Sequence, residues 1–217
     1  MKNLLLIFVL LLLTACGTPA SAPVLDLPTD LDLPAASLVP EATLPDTLEP
    51  EAELDLFRAH DIALSEPACD GTFTPGQAEG PYYTPNTPQR NSLFEVGMPG
   101  TRLFLVGYVL DGNCQPIPGA WLDFWQADAD GNYDNEGFRL RGHQFTDAQG
   151  RYFLDTVIPG EYPDRPIPHI HLKVQPPRGD VLTSQLYFPS QPVPGLTVLL
   201  EDRGDYVVGY YNFVVSK

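Results

Sequence analysis

An all-β fold, one β-sandwich domain with long loops behind a disordered tether, is what this 217-residue sequence predicts. Three observations carry the prediction. With 24 Pro and 18 Gly the chain is too often interrupted for a helix bundle or a coiled coil. From Thr101 onward, short runs rich in β-branched and aromatic residues alternate with Asp-Gly, Pro-Gly and Gly-Asn steps, the pattern of strands and tight turns. Every Trp and Tyr falls within residues 57–217, so the side chains that build a core sit in a span of ordinary single-domain size.

Residues 1–15 have a separate job. Lys2 supplies a positive start, Leu4 to Leu13 is an unbroken apolar run, and Leu13-Thr14-Ala15-Cys16 follows. The run is shorter than the ~18–20 residues a membrane span needs and fits the leader of an exported precursor. The tetrad resembles a bacterial lipobox. That resemblance implies cleavage before Cys16, lipidation of Cys16, and a domain working outside the cytoplasm, in the cell envelope, held to the membrane by its lipid anchor only. A plain signal peptide and a retained anchor are the alternative readings.

Residues 16–56 read as the tether. Pro recurs at 19, 23, 28, 34, 40, 45 and 50, no aromatic residue occurs from Val9 to Leu56, and nine acids fall between Asp26 and Asp55 with no base from Asn3 to Phe57. Such a stretch cannot bury enough apolar surface to offset its ordering entropy, and Pro with like charge keeps it extended. A solvated spacer and an acidic partner-binding segment share this composition. The chain carries 28 acidic against 12 basic residues, a formal net charge of −16, which argues against nucleic-acid binding.

The domain, 57–217, opens with one short helix over Phe57–Leu64. Strands are predicted at Thr101–Leu110, Ala120–Trp125, Arg151–Val157, His169–Gln175, Thr183–Phe188 and Asp205–Val215. Cys69 and Cys114 are the cysteines left after lipidation. In an oxidising compartment an even pair forms a bridge, contributing about 3–4 kcal/mol if unstrained; two separate buried thiols are the other option.

The chemistry-bearing residues are few. In the strand His169-Ile170-His171-Leu172-Lys173-Val174, the period of two puts His169, His171 and Lys173 on one face and the apolar residues on the other. Two imidazoles on one face can converge on a metal, or simply form a polar strand face. Pro159-Gly160-Glu161-Tyr162-Pro163 presents a Tyr at a turn just upstream, and Trp125 to Tyr133 presents another after an Asp-Gly turn.

At these residues the sequence resembles the intradiol ring-cleavage dioxygenases, the catechol-cleaving non-haem iron(III) family. The blocks run in order: Thr74 to Tyr83, Val109 to Asp111, Pro116 to Ala120, Trp125 to Asp134, Thr146-Asp147, Gly150 to Tyr152, Pro159 to Arg165, His169 to His171 and Gln185 to Phe188. The resemblance implies Fe(III) held by Tyr133, Tyr162, His169 and His171, with a small-molecule catechol and O2 as substrates and a cis,cis-muconate as product. It implies that Tyr162 is the displaceable ligand that takes a substrate proton, and that Arg165 and Gln185 act on the activated ring. The chemistry is consistent. Fe(III) is hard, so phenolate suits it better than thioether or neutral carbonyl, and two phenolates with a hydroxide would balance three positive charges. Zinc prefers Cys, His and carboxylate, and calcium prefers carboxylate and carbonyl oxygen.

Two departures stand out. Arg165 lies four residues before His169, with Pro166, Ile167 and Pro168 between, one more than in many relatives. The helical dimerisation region of the intracellular enzymes is replaced by the tether, which leaves homodimerisation through sheet faces open. Tyr82 and Tyr83 either line a pocket mouth or pack in the core. Two other function classes share parts of the pattern: a non-catalytic carbohydrate-binding or carboxypeptidase-regulatory module, and an extracytoplasmic copper or zinc carrier using His169 and His171.

Overall fold

The computed structural model describes residues 56–163 and 165–217. The leader, Cys16 and the tether as far as Asp55 lie outside these residues, and Leu56, read as the tether's last residue, begins the first helix. Among the described residues no helix is long and apolar enough to cross a membrane.

Two sheets face each other. The first holds β1 (Arg102–Leu110), β4 (Arg151–Val157), β7 (Leu199–Asp202), β8 (Tyr206–Tyr210) and β9 (Phe213–Val214), in the order β4-β1-β8-β7 with β9 also on β1. The second holds β2 (Trp121–Gln126), β3 (Arg141–Phe145), β5 (His169–Gln175) and β6 (Leu182–Tyr187), in the order β3-β2-β5-β6. All pairings in the second sheet are antiparallel. In the first, β1 runs parallel to β8 and β9.

Alternation along each strand explains the sandwich. Leu103 and Leu105 of β1, Leu122 and Phe124 of β2, and Ile170, Leu172 and Val174 of β5 point into one shared core and are fully buried. The other face of the first sheet is apolar too. Phe104, Val106, Phe153 and Val208 are covered there by Phe57 and Ile62.

That cover corrects one expectation. The helix is a single turn, α1 (Leu56–Ala59), not Phe57–Leu64. The chain leaves the helix at Asp61, whose φ is +51°, and folds back so that Ile62 N–H donates to the Phe57 carbonyl (2.8 Å). Two strands were not anticipated. β3 carries Arg141, Gly142, His143 and Gln144, a run with no apolar alternation. β7 is an edge strand with two acids and an exposed Leu199, the kind of edge that resists pairing with other chains. The predicted strand Asp205–Val215 is interrupted at Tyr211-Asn212, where the Asn212 Oδ1 accepts the Tyr108 N–H (3.0 Å).

Candidate metal centre

The outer face of the second sheet is polar, yet buried. Register sets its main row: Arg141 on β3, Trp125 on β2, His171 on β5 and Gln185 on β6 are cross-strand neighbours. His169 sits one pleat along, opposite Tyr187. A segment from Pro75 to Thr87, here called the strap, lies over this face. The Pro75 carbonyl accepts Ser184 Oγ–H (2.6 Å), and the Ala78 carbonyl accepts from Gln185 Nε2 (2.6 Å). Tyr83 donates to Asp123 Oδ2 (3.1 Å), and Thr87 donates to Asp123 Oδ1 (2.7 Å).

The two Tyr-bearing loops meet above β5. Asp128 organises the first. Its carboxylate accepts the N–H groups of Asp130 (3.0 Å) and Asn132 (2.9 Å), and its carbonyl accepts from Gly131 (3.1 Å) and Gly160 (2.8 Å). Gly131 has φ +83°, and a Cβ there would lie 2.1 Å from the Glu161 carbonyl oxygen. Only glycine lets the Tyr133 loop touch the Tyr162 loop. A two-bond turn closes the second loop: Arg165 N–H donates to the Tyr162 carbonyl (2.9 Å), with the reverse bond at 3.4 Å.

The structure therefore brings Tyr133, Tyr162, His169 and His171 together. The Tyr133 and Tyr162 rings are edge-to-face at 5.7 Å; Tyr162 lies 5.8 Å from the His169 ring and Tyr133 lies 6.4 Å from that of His171. The Nε2 atoms of His169 and His171 are 3.0 Å apart. His169 Nδ1 lies 2.7 Å from the Ile167 carbonyl. A carbonyl only accepts, so the proton sits on Nδ1 and Nε2 presents its lone pair inward. His171 stacks on Trp125 (5.0 Å, 9°), and its Nδ1 is buried without a hydrogen-bond partner. The Tyr133 hydroxyl is likewise buried and unpartnered.

Orphaned buried polar atoms are rare because each costs on the order of 1–3 kcal/mol. The Tyr133 hydroxyl is one such atom, and it lies beside the paired His169 and His171 Nε2 atoms, an arrangement that a central cation would satisfy. Electrostatics agree. Burial lowers His169 to about 4, and lowers His171 to about 3 with His169 and Arg165 adding to the effect. Both rings are neutral ligands at ordinary pH. Burial raises the Tyr133 phenol, and the neighbouring Tyr162 raises it further; burial raises Tyr162 while Arg165 opposes it. Without a cation both are neutral phenols, and a bound trivalent ion would reverse that preference. Two phenols and two imidazoles fit Fe(III). Among the described residues no group of three His, Cys, Asp or Glu side chains comes together, so the phenols are needed to complete a donor set.

Arg165 and Gln185 also meet. Arg165 Nη2 donates to Gln185 Oε1 (2.5 Å) and to the Tyr187 hydroxyl (2.7 Å), which in turn donates to Gln185 Oε1 (2.7 Å). Ile167 N–H donates to the Arg165 carbonyl (2.8 Å), a three-residue turn that shortens the path to His169. A cavity of about 300 Å³ opens on the phenols, lined by Tyr82, Gly131, Asn132, Tyr133, Asn135, Tyr162 and Pro163. Tyr82 stacks on Tyr133 (4.3 Å, 20°) and faces the cavity. Tyr83 instead packs on Trp125 (4.7 Å), with Lys173 over its ring. A Cβ on Gly80 would lie 3.2 Å from His171 Cε1, so the strap approaches the histidines at backbone distance. A larger cavity of about 420 Å³, beside Phe57, Gln144, Phe145 and Arg151, contains none of these groups. Cys69 and Cys114 form a disulfide, with Cα atoms 5.5 Å apart.

Sequence reading passed over Arg141 and Tyr187. Arg141 is fully buried. Its Nη1 donates to the Tyr82 carbonyl (2.5 Å), and its Nε and Nη2 donate to the Asp134 carbonyl (2.9 and 2.7 Å). An Arg in a polar run reads as surface, and only the register of β3 reveals it.

Fold and donor set together define a β-sandwich with a two-Tyr, two-His centre. The family model described as "Dioxygenase" matches residues 78–199. The dioxygenase domain of a dioxygenase–carbohydrate-binding fusion from Streptomyces sp. SirexAA-E is 45% identical, with a TM-score of 0.64 over 67% of this chain and 99% of that one. The 3-chlorocatechol 1,2-dioxygenase of Rhodococcus opacus 1CP is 26% identical, with a TM-score of 0.60 over 66% of this chain and 72% of that one. Catechol 1,2-dioxygenase of Candida albicans is 27% identical over 68% of this chain and 58% of its own length. The protocatechuate 3,4-dioxygenase beta chain of Burkholderia cepacia is 33% identical over 43% of this chain and 47% of its own. The chain belongs to the intradiol ring-cleavage dioxygenase family. It spans about half the length of these curated relatives. Membership does not favour the binding-module or copper and zinc carrier readings.

Proposed function

We propose that the domain is an Fe(III)-dependent intradiol dioxygenase that opens the ring of a catechol between its two hydroxylated carbons, using O2, to give a cis,cis-muconate-type product. The observation that carries this is the convergence of two phenols and two imidazole Nε2 atoms beside a cavity of about 300 Å³. Tyr133, Tyr162, His169 and His171 would hold the iron. Bound there, Fe(III) would withdraw electron density from a chelated catecholate and make a ring carbon reactive toward O2.

The chain's own residues supply the rest. Tyr162 lines the cavity and is only partly buried, so its phenolate oxygen is placed to accept a catechol proton as substrate enters. Tyr133, deeper and stacked under Tyr82, stays in place. Trp125 packs flat on His171 and excludes water from that side. Arg165 is held by Gln185 and by Tyr187, whose ring lies 6.2 Å from that of His169. There it stabilises negative charge that develops on the substrate ring.

We further propose that Cys16 carries the lipid and that the domain works outside the cytoplasm; a disulfide between Cys69 and Cys114 suits that compartment. The test is direct. Purified protein should bind one ferric ion per chain, show a visible phenolate-to-iron absorption band, and cleave catechol to a muconate. Tyr133→Phe should weaken the band. Tyr162→Phe should keep iron but lose about 10²-fold or more in turnover. Colourless protein that takes up zinc in preference to iron and leaves catechols intact would sink the reading.

A further inference from the structure

Arg141 is a buried cation that the mechanism above does not use. All three of its side-chain hydrogen bonds go to neutral backbone carbonyls, those of Tyr82 and Asp134. The Asp134 carboxylate is turned elsewhere, accepting the N–H groups of Glu136 (3.0 Å), Gly137 (2.8 Å) and Arg139 (2.9 Å). A guanidinium taken fully out of water with no hydrogen-bonded carboxylate is costly, and two carbonyls alone do not require one, since an amide or a water would satisfy them. What the fork provides is a rigid link between two segments remote in sequence. One is the strap, at Tyr82. The other is the metal loop, one residue after Tyr133.

The link is itself held. Arg90 Nε and Nη2 donate to the Arg141 carbonyl (3.0 and 2.8 Å), and Arg90 also donates to Phe138 O. Arg141 lies in the Trp125–His171–Gln185 row, so its position is referenced to the sheet that carries the histidines. Its Cζ lies 5.9 Å from the Tyr133 ring centroid. The two segments it joins carry the rings that stack at 4.3 Å and wall the cavity.

We infer that Arg141 is a positioning residue: its guanidinium ties the strap to the Tyr133 loop, fixes the Tyr82–Tyr133 ring stack, and so sets the wall against which the aromatic substrate binds. The substrate part rests on the function proposed above; the ring stack does not.

Arg141→Met and Arg141→Lys test it, each with two readouts. In metal-free protein, near-ultraviolet circular dichroism reads the packing of the aromatic rings. Arg141→Met should lose part of that signal while keeping the far-ultraviolet spectrum of the sheets. In iron-loaded protein, KM for catechol should rise about tenfold or more while kcat per bound iron changes less. Arg141→Lys, which keeps the charge but not the fork, should fall between. Tyr82→Leu removes the ring without touching Arg141, should raise KM similarly, and should add little when combined with Arg141→Lys. If the Arg141 variants are merely less heat-stable, with wild-type ring signal and KM, the inference is overturned. Should Arg141→Met fail to fold, Arg141→Lys carries both readouts, and an unchanged KM for Tyr82→Leu overturns the inference in either case. Wild-type protein without iron or ring cleavage would fail the proposed function instead, leaving the metal-free measurement to judge Arg141.

Discussion

The two sheets of the sandwich each have an outer face, and both outer faces are covered, but by opposite means. On the first sheet Phe104, Val106, Phe153 and Val208 meet Phe57 and Ile62, apolar on apolar. On the second, Arg141, Trp125, His171 and Gln185 lie in a row under the strap, each at most 1% exposed. The first arrangement yields transfer free energy directly. The second leaves the Tyr133 hydroxyl without a partner beside two imidazole Nε2 atoms only 3.0 Å apart, a cost folding alone gives no reason to bear. Such misfit between local chemistry and burial is where function is expected, and here the misfit and the family's donor set coincide.

Exchanging damage between the faces should break the comparison most sharply. His171→Ala removes one of the four proposed donors and part of the Trp125 stack. It should abolish ring cleavage and most iron retention, with a modest change in melting temperature of metal-free protein. Phe153→Ala deletes a ring 5% exposed on the other face and should cost about 3–5 kcal/mol of stability, while iron bound per folded chain stays at the wild-type value. Metal analysis beside denaturant unfolding checks both. Equal iron loss in the two variants would mean that the faces are not functionally separate.

The disulfide lies outside both faces. It closes a loop with a sequence separation of 45, so Cys69→Ser should lower stability by about 3–4 kcal/mol without moving the iron absorption band. A shifted band would show that the Cys69 segment, which leads into the strap, also positions the centre.

What the sequence made legible follows the same divide. β1, β4, β5 and β6 were readable because their runs are rich in β-branched and aromatic residues, and in β5 Ile170, Leu172 and Val174 also alternate with period two. β3 was not, because its residues serve a buried polar face and Arg141-Gly142-His143-Gln144 has no hydrophobic rhythm. The same holds within the centre. His169 and His171 share a face by strand period alone, and Tyr133 and Tyr162 stood out through turns and family resemblance. Arg141 acts through backbone carbonyls of Tyr82 and Asp134, a relation set by register, which no local pattern encodes.

Acid should reveal the polar face in metal-free protein. His169 and His171 are depressed by burial to about 4 and about 3 from an ordinary 6.5. Below 6.5 the unfolded chain binds protons that the folded chain refuses, so stability is fully present above that pH and is lost as pH falls through the folded values. The melting temperature should drop between pH 6.5 and about 4, and a His169→Gln/His171→Gln variant should flatten the upper part of that drop. Identical profiles for variant and wild type would place the titrating groups elsewhere.

The smallest effect concerns how the strap is fastened over the polar face. Lys173 Nζ meets Glu79 Oε2 at 2.5 Å and lies 4.4 Å over the Tyr83 ring. The Glu79 side chain is 45% exposed, so solvent screens the pair, and exposed pairs contribute about 0.2–1 kcal/mol. The buried fastenings, Gln185 to the Ala78 carbonyl and Thr87 to Asp123, hold the strap with less screening. Lys173→Met keeps most of the apolar stem against Tyr83 and removes only the charge. It should lower stability by less than about 1 kcal/mol, with faster amide hydrogen exchange confined to residues near Glu79 and unchanged KM. If Lys173→Met instead loosened the whole strap and raised KM, the exposed pair and not the buried bonds would be what closes the second face.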